Sequence, residues 1–268
     1  MDRRSFVSAL AAPLIAPRLA LAQDDALARA LASEDQLHSI QVMRGGETLL
    51  AEAPRGPGLD ALANIKSCSK SIVALLLGQA IDSGAVPSVN ATLRDVAPGL
   101  VPPDADPAAG QITLEDLVTL RAGLERTSGA AYGGWVASDN WVRNALSRPM
   151  VARPGGRMLY STGSTHVLGA ALAEAKGDSL LQLARAGLGA PLGIEIPAWT
   201  RDPQGYYLGG NEMALTPRAM LRIARMMRDG GRFDGAQVVP QSWVAASVVP
   251  RTQSPFSGMG YGYGWFLT

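Results

Sequence analysis

Ser67 and Lys70 stand three residues apart in Ser67-Cys68-Ser69-Lys70, just before the apolar run from Ile72 to Leu77. If a helix begins here, both side chains leave the same face, because residues three or four apart are surface neighbours. A serine hydroxyl is a weak nucleophile until an adjacent base takes its proton, and a lysine is such a base only where burial or nearby cations lower its pKa. An apolar helix with the pair in its first turn supplies that burial. Its N-terminus also offers free N–H groups and the positive dipole end to developing negative charge. The chemistry suggested is acyl transfer to serine. The plainer reading is a polar helix start, with Ser67 as cap and Lys70 carrying its ammonium out to water. The chain has three lysines, Lys66, Lys70 and Lys176, and only Lys70 has a serine three positions before it. A short pattern of this kind needs context.

The context is a second constellation, Pro154-Gly155-Gly156-Arg157-Met158-Leu159-Tyr160-Ser161-Thr162-Gly163, which leads into an expected helix at 165–176. The serine–lysine pair followed by this tyrosine element resembles the serine β-lactamase-related hydrolases. That group includes class C β-lactamases, D-alanyl-D-alanine carboxypeptidases, family VIII carboxylesterases and 6-aminohexanoate-oligomer hydrolases. The resemblance implies that Ser67 is the acylated nucleophile, that Lys70 is its general base or tunes it, and that Tyr160 shuttles protons. Thr162 falls where the lactamases carry asparagine, which puts a lactamase-type contact there in question. Residues 202–213 look most like the 6-aminohexanoate-hydrolase and esterase branch, and Asn211 is expected to face the substrate. Its plainer reading is a loop asparagine in the left-handed conformation beside Gly209-Gly210. The fold implied is α/β (α+β) of the β-lactamase/transpeptidase type, an antiparallel sheet flanked by helices plus a mostly helical lobe. The resemblance spans residues 24–268.

The residue types suit the chemistry. Unperturbed tyrosine titrates near ~10 and lysine near ~10.4, so neither is a good base at neutral pH. Held together and away from water, one can carry the proton while the other is free to accept it. Lowering a lysine by two or three units costs about 3–4 kcal/mol, and helix packing around 72–77 is the expected source.

Other chemistries fare less well. Ser138-Asp139-Asn140 spells an S-D-N element, but it precedes an expected helix at 140–146, and Ser-Asp is a good helix start. No G-x-S-x-G elbow occurs, which argues against an α/β-hydrolase. His38 and His166 are the only histidines, and each sits where a structural role is expected. Two histidines and one cysteine make no zinc cage, so neither a metal nor a cofactor is implied. Cys68, the lone cysteine, is expected to be a buried small hydrophobe. The alternation of glycine with large residues over 258–265 reads as a strand needing close backbone approach.

Composition bounds the rest. At 268 residues, 47% hydrophobic and 18% charged, the chain can bury a sizeable core. Residues 1–22 have the form of an export signal, with Arg3-Arg4 before an apolar stretch and Ala20-Leu21-Ala22 before Gln23. Arg3-Arg4-Ser5-Phe6 resembles a twin-arginine signal. The full chain carries a net charge of +1, and residues 1–22 hold three arginines and one aspartate, so their removal leaves −1. That balance makes no case for nucleic acid or an anionic membrane. The expected mature form is a single exported domain at 23–268, without a stable membrane span.

The elements needed to position the motifs can be read along the chain. A helix is expected at 25–32, strands at 38–43 and 47–53 joined through Arg44-Gly45-Gly46, and a nucleophile helix ending near Gly84. A capping-box-like start at 113–116 opens a helix running into 119–124. A further helix is expected at 179–186. The clearest begins at Thr216-Pro217 and stops at Gly230-Gly231. The family's third element, a K-T-G, H-x-G or G-G-x strand lining the site, is not found, and the expectation is that the sequence is C-terminally truncated before it. The function expected is a serine hydrolase cleaving carboxylic esters or small amides. The alternatives are a β-lactamase or D-Ala-D-Ala carboxypeptidase, or an inactive penicillin-recognising module.

Overall fold

The computed structural model describes Leu27 and residues 29–268. The expected export signal at 1–22 lies outside the described residues, as does part of the helix expected at 25–32, of which Leu27 and residues 29–33 are helical. The chain divides into two compact units at Leu59/Asp60. In the first, β1 (Ile40–Arg44) and β2 (Glu47–Glu52) form an antiparallel hairpin that turns at Gly45-Gly46, with a register shift between Val42 and Met43. The turn falls where Arg44-Gly45-Gly46 signals a hairpin.

The second unit carries the motifs. A 3-10 turn at Lys66–Cys68 leads into α1 (Ser69–Asp82), ten of whose fourteen residues are buried, Ser69 and Lys70 among them. The helix is apolar around most of its circumference, the signature of a central rather than a surface helix. Its Gly78 has a reason. A Cβ there would lie 2.3 Å from the Trp243 ring, whose Nε1 donates to the Ala74 carbonyl at 2.9 Å. The other main elements of the unit are α2 (Leu114–Val118), α3 (Tyr132–Val136), α4 (Trp141–Leu146), α5 (Thr162–Lys176), α6 (Leu180–Ala184), α7 (Pro217–Arg228) and α8 (Gln241–Ser247); α5 and α6 lie against α1, and α2 and α4 pack on α5. Ile72, Leu75 and Leu77 from α1, Leu114 and Leu117 from α2, and Leu168 and Leu172 from α5 share one buried cluster. Burying such side chains stabilises the unit by about 1.5–3 kcal/mol each.

Strands in this unit are short and antiparallel. β3 (Ala63–Asn64) pairs with β4 (Ala214–Leu215), and β5 (Arg232–Phe233) pairs with β6 (Ala236–Gln237). β7 (Thr252–Gln253), β8 (Gly260–Tyr261) and β9 (Phe266–Leu267) form a three-stranded sheet in that order. The glycine-rich stretch is therefore not one strand: it reverses between β8 and β9. Gly264 at the reversal has φ +79° and lies against α1, where Ser71 Oγ donates to its carbonyl at 2.6 Å. The expected close backbone approach is present, but it is made by a turn.

Several helix starts follow their sequence signals. Thr113 and Asp116 form a reciprocal capping box at α2, and Thr216 caps α7 ahead of Pro217. Two details differ from expectation. The α2 helix stops at Val118 because Leu120 takes φ +61°, outside helical space. The cap of α4 is Asn140, whose side chain accepts from the Arg143 N–H, whereas the Ser138 hydroxyl turns back to the Trp135 carbonyl. Among the described residues, no helix is long and apolar enough to cross a membrane.

Candidate active site

The fold brings Ser67, Lys70 and Tyr160 together. Lys70 is 1% exposed, and burial lowers its amine from 10.5 to about 7. At 1.36 kcal/mol per unit this corresponds to about 5 kcal/mol of disfavoured charge. Its Nζ lies 3.2 Å from Ser67 Oγ, 2.6 Å from the Gly210 carbonyl oxygen and 3.5 Å from Thr162 Oγ1. A neutral amine has two hydrogens and one lone pair. The Gly210 carbonyl can only accept, so it takes one hydrogen. When Thr162 Oγ1 accepts the other, the lone pair is left for Ser67 Oγ.

Thr162, at the position questioned in the sequence, lies against Lys70 through a hydroxyl. Thr162 is itself held by Ser128. Its backbone N–H donates to Ser128 Oγ at 2.8 Å, and the two hydroxyls lie 3.0 Å apart. The next residue pair repeats the arrangement: Gly163 N–H donates to Thr127 Oγ1 at 2.7 Å, and Thr127 N–H donates to Ser161 Oγ at 3.0 Å. The first free N–H groups of α5 are therefore satisfied by the 127–128 loop rather than by a local cap.

Tyr160 is half-buried at the N-terminal end of α5, its ring centroid 5.0 Å from Lys70 Nζ and stacked at 6.4 Å on Phe266. Burial raises its hydroxyl above 10, although the Ser67 hydroxyl beside it pulls the other way. The two shifts assign the protons: near neutrality Lys70 can be free of its proton while Tyr160 keeps its own. Ser67 is exposed, and its N–H sits in the first turn of the 3-10 segment, where helix geometry supplies no acceptor.

The Gly209-Gly210 strap lies directly on α5. A Cβ on Gly210 would meet Thr165 Oγ1 at 2.3 Å and the Thr162 carbonyl at 3.0 Å, so only glycine lets this backbone reach Lys70. Asn211 follows. Its Nδ2 donates to the Tyr132 hydroxyl at 3.2 Å, and its buried Oδ1 has no protein partner. The left-handed residue of the strap is Glu212, at φ +66°, rather than Asn211.

Cys68 is exposed, contrary to the buried position expected for it. The 3-10 turn explains the reversal, since it turns Ser67 and Cys68 outward before α1 carries Ser69 and Lys70 into the core. His166 is structural, as expected. It is fully buried between Trp135 and Trp141, its Nδ1 accepts from the Gly209 N–H, and its Nε2 therefore donates to Asp202 Oδ2 at 3.0 Å. Sequence reasoning missed Gly210 and Ser128. A backbone carbonyl has no residue signature, and only the hydroxyl pair Thr127-Ser128 hinted at the second.

Fold and site together define a β-lactamase/transpeptidase-like scaffold with a serine–lysine–tyrosine centre. The family model described as Beta-lactamase matches residues 25–268, and the chain belongs to that family. It is similar to the D-alanyl-D-alanine-carboxypeptidase/endopeptidase AmpH of Escherichia coli (strain K12), 28% identical over 152 residues. That match covers 55% of this chain and 39% of the relative, well under two thirds of its length. Among solved structures, EstCE1, a hydrolase with promiscuous acyltransferase activity, aligns with a TM-score of 0.73 at 17% identity, covering 94% of this chain and 84% of that one. The octameric penicillin-binding protein homologue from Pyrococcus abyssi aligns with a TM-score of 0.70 at 18% identity, covering 92% and 64%.

Proposed function

We propose that this protein is an exported serine hydrolase that cleaves carboxylic esters or small amides through an acyl-enzyme on Ser67. The observation that carries the reading is the placement of buried Lys70, its pKa lowered to about 7 and its Nζ 3.2 Å from Ser67 Oγ and 2.6 Å from the Gly210 carbonyl oxygen. In the proposed reaction Lys70 takes the Ser67 proton as Oγ attacks the acyl carbonyl. The negative charge on the carbonyl oxygen develops beside the Ser67 N–H. The bond to the leaving alcohol or amine then breaks, and Tyr160, kept protonated by burial, is placed to hand that group a proton and recover one from Lys70. Water repeats the attack on the acyl-enzyme to release the acid. The pattern at 1–22 supports export, and the description of EstCE1 as a hydrolase with promiscuous acyltransferase activity accords with acyl transfer on this fold.

A fluorophosphonate probe tests this directly. Stoichiometric labelling of the wild type and none of Ser67→Ala is the expected result, with turnover of p-nitrophenyl acyl esters exceeding that of a chromogenic cephalosporin. An unlabelled wild type overturns it. The similarity to AmpH favours a peptidase as second reading, for which a D-Ala-D-Ala peptide would outpace the esters.

A further inference from the structure

The Gly210 strap and the residues preceding Ser67 are joined by a closed ring of hydrogen bonds that the serine–lysine–tyrosine chemistry does not itself require. Glu212 Oε2 accepts from Asn64 Nδ2 at 2.6 Å, and Glu212 Oε1 pairs with Lys66 Nζ at 3.3 Å. The other end of the Asn64 amide, Oδ1, accepts from the Lys66 backbone N–H at 2.8 Å. These two bonds fix the amide's orientation, because only this arrangement gives both partners an acceptor or donor of the right kind. The Lys66 carbonyl accepts from Ser69 Oγ at 2.6 Å, and Ser69 Oγ in turn accepts from the Met213 N–H at 3.2 Å. Met213 is bonded covalently to Glu212, which closes the ring. The β3–β4 pairing runs alongside it.

Two features show that this ring holds a conformation the chain would otherwise avoid. Lys66 and Glu212 both take left-handed backbone angles, φ +48° and φ +66°. For a residue with a Cβ this backbone conformation is unfavourable, and it persists where the surroundings over-determine it. One of these residues directly precedes the nucleophile. The other lies two residues after Gly210, the carbonyl that receives Lys70. Ser69, the middle hydroxyl of the ring, is fully buried and spent entirely within it.

We infer that Glu212 is a positioning residue. By clamping Asn64 and Lys66 it holds the strained turn before Ser67 in register with the Gly210 strap, and so sets the approach of Ser67 Oγ to Lys70 Nζ. The inference rests on the hydrolase reading above, and the experiment separates the two. Ester turnover and fluorophosphonate labelling rate are measured for the wild type, Glu212→Ala, Glu212→Gln and Asn64→Asp, and for the pair Asn64→Asp with Glu212→Gln. Each protein is first checked for a cooperative thermal transition. Glu212→Ala is expected to lose about 10-fold or more in kcat and labelling rate, with KM within about 3-fold, a 1 Å misplacement being enough for such losses. Glu212→Gln keeps an acceptor for Asn64 and should recover most of the activity. Asn64→Asp sets two carboxylates against each other and should fall at least as far as Glu212→Ala. Combined with Glu212→Gln it reverses donor and acceptor, and activity should return, a coupling that a double-mutant cycle reads. If Glu212→Ala does not fold, that cycle decides alone. Additive losses in the cycle, or wild-type kinetics in a folded Glu212→Ala, overturn the inference. An unlabelled wild type overturns the hydrolase reading instead.

Discussion

Lys70 concentrates the residue-scale argument, because one side chain must be buried enough to lose its proton and hydrogen-bonded enough to aim its lone pair. Burial sets the pKa at about 7, and Gly210 and Thr162 set the direction. The amine is a base only when unprotonated. Acylation of Ser67 is therefore expected to rise with pH through a midpoint near 7, about tenfold per unit on the acid side, and to flatten above it. Single-turnover labelling across pH measures this, and a profile flat between about pH 5 and 8 would contradict the assignment of Lys70 as base. Because burial raises Tyr160 above 10, its hydroxyl stays protonated across that window and adds no second limb. Tyr160→Phe should lower turnover by about 10²–10⁴, the range for loss of a general acid–base group, while leaving the Lys70 midpoint in place. At this scale Ser67, Lys70 and Tyr160 were legible in the sequence because their side chains declare their chemistry. Gly210 was not, since its contribution is a carbonyl that every residue has.

At the scale of elements, the site depends on how closely a strap of backbone can lie on a helix. Gly210 touches α5 on one side and Lys70 on the other, and a Cβ has no room against Thr165. Gly210→Ala should therefore destabilise the fold by about 1–3 kcal/mol, the usual penalty for overpacking. It should also slow Ser67 labelling by lifting the carbonyl from Lys70. Urea melts and probe kinetics on the same preparation would show both, and a variant that loses neither would mean the strap can shift freely. The capping signals were readable one element at a time: Thr113 with Asp116, and Thr216 with Pro217, each combine a local side chain with a local N–H. Replacing Thr113 by Ala should cost about 1 kcal/mol. Where the outcome depended on distant packing, local signals were ambiguous. Ser138-Asp139-Asn140 offers three good caps in succession, and burial of Trp141 selects the third. The alternating stretch at 258–265 has strand periodicity, yet contact of Gly264 with α1 turns it into a reversal.

For the whole molecule, a buried lysine held neutral is a cost to folding, and its sign and pH window follow from the shift. The unfolded chain holds the Lys70 proton up to 10.5, whereas the folded protein releases it at about 7. Between those values the unfolded state binds more protons, so Lys70 destabilises the fold increasingly as pH falls and reaches its full effect below 7. A Lys70→Met variant lacks this dependence. It instead leaves the buried Gly210 carbonyl without its donor, a penalty of about 1–3 kcal/mol that does not vary with pH. At alkaline pH the variant should therefore be comparable to the wild type or less stable. As pH falls from about 9 to about 6, the difference in unfolding free energy should move by about 3 kcal/mol in favour of the variant, until the inactive protein is the more stable one. Paired denaturant melts of the two proteins at each pH isolate this term, because every other titrating group is common to both and cancels in the difference. A difference that stays constant with pH would mean that Lys70 is charged in the folded state. The lone-pair geometry at Ser67 would then have to be reached by another route.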